Sequence, residues 1–370
     1  MSVFHPNSFT RNELGKNQEA LGVPQIFLLE KCLLALELTG RLQQAGLNFV
    51  FKGGTSLLLH FSAPKRLSID VDIVCLDGLP KLEEVLNEIV KVGPFIRWEH
   101  QERRDREAPP TKHFLVYYDS QTESGTGQSI QIDVIQAECP HAQIIDCPIS
   151  ASFGTIEEAI SVPIPTASSL LGDKLATLAP STIGYPYQPI SRAGKLAEPR
   201  PIKVAKHLFD LGELALIAEN FEETIRTYHK VHAEQIKFRE KDYAIGECLD
   251  DTQDVAYWTS IPRIPKQPDN KTKYDYMRRG IDSLKTHLID GSFGTEAYRN
   301  AAGRAALVAE LVRGEKIDFN LPDFLNAPLD IDAIKAATLD GDWKYLKGLR
   351  RTETNAFACW AKAQELKRGV

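Results

Sequence analysis

An α+β fold, with a small mixed sheet and its helices followed by a mainly helical region, is predicted by three features of the sequence. Residues 49–76 read as strand, Gly-Gly turn, helix and strand. Two later segments, 113–118 and 129–136, alternate apolar and polar residues as half-buried strands do. From about residue 202, apolar residues recur at helical spacing almost to the end. A chain of 370 residues is long enough for two domains, and the change of pattern places the boundary at 165/166.

The elements follow in order. Residues 18–46 predict a helix, its Leu and Ile residues falling on helical spacing beyond Pro24. Residues 47–51 form a short buried strand closed by Gly53-Gly54. Thr55 or Ser56 is placed to cap a helix running through residues 57–61, which Pro64 ends. Residues 68–76 predict a strand with Ile69, Val71 and Ile73 on one face and Asp70, Asp72 and Val74 on the other. An amphipathic helix spans 80–92. The strands at 113–118 and 129–136 flank Gly125-Thr126-Gly127 and read as a hairpin. Residues 166–178 are helical, and 180–201 form a Pro/Gly-rich loop too long for a simple connector. The helical region beyond is interrupted at 261–269 and 320–328. There is no internal repeat and no low-complexity tract.

Composition narrows the function. Hydrophobic residues make up 43% and charged residues 25%, as in ordinary globular chains. No apolar run approaches the roughly 20 residues that span a bilayer, and the polar start lacks a secretory core. The expectation is a cytoplasmic protein with no membrane partner. The six cysteines are scattered without a CxxC, which disfavours a disulfide framework or zinc site. A net charge of −6 gives no bulk attraction for nucleic acid. Binding one would need a local basic patch, such as Lys344-Lys347-Arg350-Arg351, Arg278-Arg279 or Arg192-Lys195-Arg200.

The chemistry concentrates in Phe49 to Leu76. A glycine pair lets backbone approach a ligand because no Cβ blocks it, and a helix starting there offers unpaired N–H groups to phosphate. Asp70 and Asp72, two residues apart on a strand, leave the same face roughly 7 Å apart. Such carboxylates repel unless a cation lies between them, and hard oxygen ligands select Mg²⁺ or Mn²⁺. Asp133 alternates out of its strand in the same manner and would complete a three-carboxylate site. That set suits in-line displacement on a nucleoside triphosphate.

The run Lys52-Gly53-Gly54-Thr55-Ser56-Leu57, followed by Arg66-Leu67-Ser68-Ile69-Asp70-Val71-Asp72-Ile73, resembles the signature of AbiEii/AbiGii-type nucleotidyltransferase toxins of the DNA polymerase β-like superfamily. Residues 171–178, around Lys174, resemble that family's helix with a functional lysine. Residues 206–211, ending in Asp210-Leu211, resemble its Arg/Lys-x-x-x-Asp-Leu motif. His207 stands where relatives often carry an aspartate. The resemblance covers about residues 45–215. It implies a polymerase β-like catalytic domain over 1–165 and a helical domain over 166–370 that contributes Lys174 and Asp210. It further implies that Gly53, Gly54, Thr55, Ser56 and Arg66 hold the nucleotide, that Asp70, Asp72 and Asp133 bind metal, and that Lys174 neutralises triphosphate charge. Asp210 would orient Lys174 or bind substrate.

The function so implied is transfer of a nucleoside monophosphate from an NTP to a cellular acceptor, tRNA first, by the toxin of a toxin–antitoxin or abortive-infection system. A cognate antitoxin is then a partner. Antibiotic nucleotidylation is the competing enzymatic reading, with a closed acceptor pocket in place of a basic groove. A catalytically silent binding module is the third. The loop at 180–201 adds Tyr185, Tyr187, Arg192, Lys195 and Arg200, a mixture able to stack a base and hold backbone phosphate.

Overall fold

The computed structural model describes residues 2–101, 111–124, 127–190, 195–262, 268–289 and 293–369. It divides into two compact units. The first comprises Met1–Cys139, Gln143–Thr166 and Thr286–Ser292; the second comprises Pro140–Ala142, Ala167–Lys285 and Phe293–Val370.

In the first unit, α1 (Arg11–Leu21) and α2 (Ile26–Gln44) replace the single helix expected over 18–46. Gly22 takes a left-handed conformation at φ 64° and ends α1, and Pro24 follows within two residues, a common stop signal. The apolar residues of α2 surround it almost completely, so it is buried along most of its length. Its buried Glu37 is compensated by Arg41 Nε at 2.7 Å and by the backbone N–H groups of Val3 and Phe4.

β1 (Phe49–Lys52) leads into α3 (Gly53–Ser56), then β2 (Val71–Cys75), α4 (Leu79–Ile89), β3 (Phe95–Gln101), β4 (Thr111–Tyr118) and β5 (Ser129–Ile135). These strands form one mixed sheet in the order β1-β2-β5-β4-β3, with β2 and β5 parallel and the other pairs antiparallel. β6 (Ile144–Pro148) and β7 (Ser161–Pro165) make a separate antiparallel pair. The core joins Leu33 and Leu36 of α2 and Leu82 and Leu86 of α4 to Val71, Ile73, Phe114, Ile132 and Val134 of the sheet.

The hairpin of β4 and β5 is as expected, although Gly125 and Thr126 lie outside the described residues. The helix expected over 57–61 is a single α-turn, α3, continued by a 3₁₀ turn at Leu57–Leu59. β3, β6 and β7 were not expected. β3 is an edge strand exposed at most positions, so its sequence lacks the apolar alternation that marks a half-buried strand.

The second unit is helical: α5 (Ala167–Thr177), α6 (Pro201–Leu214), α7 (Phe221–Arg239), α8 (Ile245–Ser260), α9 (Pro268–Leu284), α10 (Thr295–Arg313), the short α11 (Leu321–Asn326), α12 (Ile331–Ala336) and α13 (Leu349–Thr352), and α14 (Thr354–Lys367). α10 is central. Its buried Ala301, Ala302, Ala305 and Ala306 present small side chains to its neighbours, which lets helices approach closely. Among the buried polar groups on these helices, Gln253 pairs with Glu310 at 2.7 Å and Trp360 with Ser260 at 3.0 Å. α11 occupies the segment expected to interrupt the helices at 320–328; of the other interruption, residues 263–267 lie outside the described residues.

Candidate active site

Strand register builds the site in the first unit. Lys52 of β1 pairs with Asp72 of β2, Asp72 with Asp133 of β5, Asp133 with His113 of β4, and His113 with Gln101 of β3. Partners in register leave the same face of a sheet, roughly 4.5–5.5 Å apart between neighbouring strands. The sheet therefore carries one polar row with two adjacent carboxylates at its centre. Val71, Ile73, Ile132 and Val134, which alternate with those carboxylates, are fully buried on the opposite face.

Asp133 is held firmly. Its Oδ1 lies 2.7 Å from His113 Nδ1 and accepts from Gln131 Nε2 at 2.6 Å. Asp70 lies just before β2, outside the ladder, and is exposed. Its carbonyl accepts from Thr55 Oγ1 at 2.5 Å. Among the described residues, no three His, Cys, Asp or Glu side chains are gathered closely enough to hold a metal ion. Of the three carboxylates expected to form one site, the sheet aligns Asp72 and Asp133 as direct register partners. Asp70 immediately precedes Val71, the first residue of that ladder, and Asp133 Oδ1 is engaged by its neighbours. The pair fits Mg²⁺ or Mn²⁺ by donor type, since both offer hard carboxylate oxygens.

The Gly-Gly turn is shaped around these groups. Gly53 has φ 78°, a conformation that costs residues with a side chain. A Cβ on Gly53 would also collide with the Asp72 carboxylate, 2.7 Å from Cγ and 2.8 Å from Cβ. A Cβ on Gly54 would lie 2.6 Å from Arg66 Nη2 and 2.9 Å from Ser68 Oγ. Arg66 is buried under this turn and donates from Nη1 to the Leu67 carbonyl at 3.1 Å. It thus braces the turn. Beside it, burial pushes the Cys32 thiol up to about 12, against the opposing pull of Ser68 and Arg66.

Thr55 and Ser56 are fully buried. Their hydroxyls are spent within the turn, Thr55 on Asp70 as above and Ser56 on the Gly53 carbonyl at 3.0 Å. Neither caps a helix as expected, because α3 begins at Gly53 with Lys52 in the cap position. The hydroxyl donor expected from Ser56 is turned inward, which leaves backbone N–H groups as this segment's means of meeting an anion. A helix of four residues adds little macrodipole.

The second unit holds the remaining predicted residues. Lys174 Nζ lies 2.9 Å from Asp210 Oδ2, with both side chains almost wholly buried. One turn away, burial first and Lys174 second push the His207 imidazole down to about 3, so it is neutral. Its Nδ1 lies 3.4 Å from Thr177 Oγ1.

The base-stacking expectation for the 180–201 loop is not supported at Tyr187. Its ring packs edge-to-face on Tyr276 at 4.8 Å with its hydroxyl buried. Lys203 covers Tyr185 at 4.8 Å, and Arg192 lies outside the described residues. Of the other basic groups, Arg278 bonds the Tyr298 hydroxyl and Arg350 the Ala337 carbonyl. Lys344, Lys347 and Arg351 remain exposed.

Lys52, His113 and Gln131 carried no role in the sequence reading. Strand alternation puts His113 on one face of β4, but only the register of β4 against β5 brings it to Asp133.

Known proteins resemble the chain as follows. The family model described as "Nucleotidyl transferase AbiEii toxin, Type IV TA system" matches residues 38–302. Among solved structures, MenT4, the nucleotidyltransferase toxin Rv2826c from Mycobacterium tuberculosis H37Rv, is 18% identical with a TM-score of 0.46, covering 93% of this chain and 98% of that one. JHP933 from Helicobacter pylori is 14% identical with a TM-score of 0.39, covering 78% and 91%. An antigenic nucleotidyltransferase-like protein from Paracoccidioides brasiliensis is 15% identical with a TM-score of 0.34, covering 57% and 89%. No curated protein matches the chain.

Proposed function

This chain belongs to the AbiEii nucleotidyl transferase toxin family of type IV toxin–antitoxin systems, and from that premise we propose that it transfers a nucleoside monophosphate from an NTP to RNA, tRNA foremost, using Mg²⁺ or Mn²⁺. It is a nucleotidyltransferase by family. The observation that carries the finer reading is the row Lys52–Asp72–Asp133–His113 beside a turn that only glycine fits.

The division of labour follows from the contacts. Asp72 and Asp133 would hold the divalent ion, with Asp70 joining when the nucleotide's phosphates are present. Bound there, such ions lower the pKa of an attacking hydroxyl and neutralise the leaving pyrophosphate. His113 and Gln131 fix the rotamer of Asp133, which keeps it oriented toward the acceptor's proton. Gly53 and Gly54 expose backbone N–H groups to the phosphates, while Arg66 braces them from beneath. In the second unit Lys174 is a compact cation held by Asp210. A cognate antitoxin is the implied protein partner. No helix among the described residues is long and apolar enough to cross a membrane.

The test is transfer of label from α-phosphate-labelled NTPs, with Mg²⁺, into total RNA, total protein and small-molecule acceptors. Label in tRNA is the expected result; label in an aminoglycoside or lincosamide but not in RNA would overturn the acceptor assignment. Asp72→Ala should lower transfer at least about a hundredfold, as displacement of a reacting group does. It should also abolish growth arrest on expression while leaving circular dichroism unchanged, because Asp72 is off the packed face. Full activity in that variant would defeat the site.

A further inference from the structure

The second unit contains a cavity of about 790 Å³ lined by none of the residues assigned above to nucleotidyl transfer. It lies among α10, α14 and the segment around α11 and α12, and its size falls within the range of small-molecule sites. Phe324, Leu325, Leu329, Ile334 and Ala358 make its lining largely apolar.

Its charged groups are of two kinds. Lys362 is paired with Glu365 at 2.7 Å and Arg368 with Asp340, so these neutralise one another, and the Asp330 carboxylate is taken up capping α12 through the backbone N–H groups of Asp332 and Ala333. Arg304 differs. It donates from Nη1 to the Gly212 carbonyl at 3.0 Å, and among the described residues no carboxylate closes an ion pair with it. Burial pulls its pKa down, with Cys359 and Glu213 opposing. A cation withdrawn from water without a carboxylate in direct contact is costly, and it favours any ligand that supplies one.

A second observation lies beside it. Asn300 also lines the cavity, and its Oδ1 is buried with no hydrogen-bond partner among the described residues. Asn300 and Arg304 are four residues apart on α10 and therefore share a face. An amide carries its N–H donors on the end opposite its oxygen, so with Oδ1 buried Asn300 has N–H left to offer the cavity that it lines. Two adjacent donor groups on an apolar wall match the two oxygens of one carboxylate.

We propose that this cavity binds a small apolar carboxylic acid, its carboxylate held by Arg304 and Asn300 and its hydrocarbon body by Phe324, Leu329 and Ile334. The assignment is independent of the transfer reaction.

Titration calorimetry on the full chain tests it, with decanoate and biphenyl-4-carboxylate as probes and decanol as the uncharged control. Both acids, or one of them, should bind saturably at one site below 1 mM (about the weak end of specific binding); the tighter one shows whether the natural body is a flexible chain or a flat ring. Decanol should bind about tenfold more weakly or worse, the scale of a lost charged hydrogen bond. Arg304→Met should bring decanoate down to the decanol level and leave decanol unchanged. Ala361→Trp, at a part-exposed lining position, should abolish binding of both without depending on how the first variant folds. The proposal is overturned by decanoate binding undiminished in folded Arg304→Met, by full binding in Ala361→Trp, or by no saturable binding of either acid.

Discussion

Gly53→Ala separates backbone strain from damage to the site. At φ 78°, alanine in place of Gly53 pays about 1–2 kcal/mol for a left-handed conformation. Gly46 supplies the control, since its φ is 76° and a Cβ there meets nothing within 4 Å. Gly46→Ala should therefore cost the same 1–2 kcal/mol and nothing else. The new methyl of Gly53→Ala falls on the Asp72 carboxylate, whose Cγ stands 2.7 Å away. Ordinary carbon–carbon contact is about 3.5–4.0 Å, so the carboxylate must retreat by roughly 1 Å. A displacement of that size costs about a hundredfold in rate. Urea midpoints measure the first effect and initial rates of label transfer the second. Gly53→Ala should be destabilised at least as much as Gly46→Ala, and only Gly53→Ala should lose about two orders of magnitude in transfer. Wild-type rates in Gly53→Ala, or equal losses in both, would refute the claim that this turn is built around Asp72.

The remaining predictions concern the groups that hold the site residues. His113→Ala should slow transfer about tenfold through kcat with KM for NTP little changed, because it removes one of two contacts on Asp133, each worth about 1.5–3 kcal/mol when the acceptor is charged; His113→Asn should recover part of the loss, and an unaltered kcat in the alanine variant would remove His113 from the site. Lys174→Ala leaves the Asp210 carboxylate buried without its cation and should cost about 3–5 kcal/mol by urea unfolding. Lys174→Met combined with Asp210→Leu should restore most of it, and a cost near zero for the single change would show that the pair does not close. His207, unprotonated in the folded chain down to about pH 3, takes up a proton near 6.5 once unfolded. Its contribution is therefore complete above pH 6.5 and declines as pH falls toward 3, by up to about 1.4 kcal/mol per pH unit. His207→Gln should flatten that part of the stability profile, and an unchanged slope would count against the neutral imidazole.

Local pattern alone carried much of this protein. The Gly-Gly turn between two strands, the alternation that marks Asp72 and Asp133, the β4–β5 hairpin and the helical second half all reside in contiguous residues, where period and turn chemistry are visible. The family signature lay there too. Tertiary structure decided which side chains meet. Asp72 and Asp133 are 61 positions apart in sequence, and only the parallel pairing of β2 with β5 makes them neighbours. His113 reaches Asp133 through the register of a further strand, and a slip of one residue would turn it to the other face. Start points of elements were equally nonlocal: β2 begins where its ladder partner allows, which leaves Asp70 outside. Thr55 and Ser56 look like phosphate ligands in sequence, yet the turn consumes both hydroxyls. Hydrogen-bond competition of that kind depends on three-dimensional neighbours, and no spacing of residues encodes it.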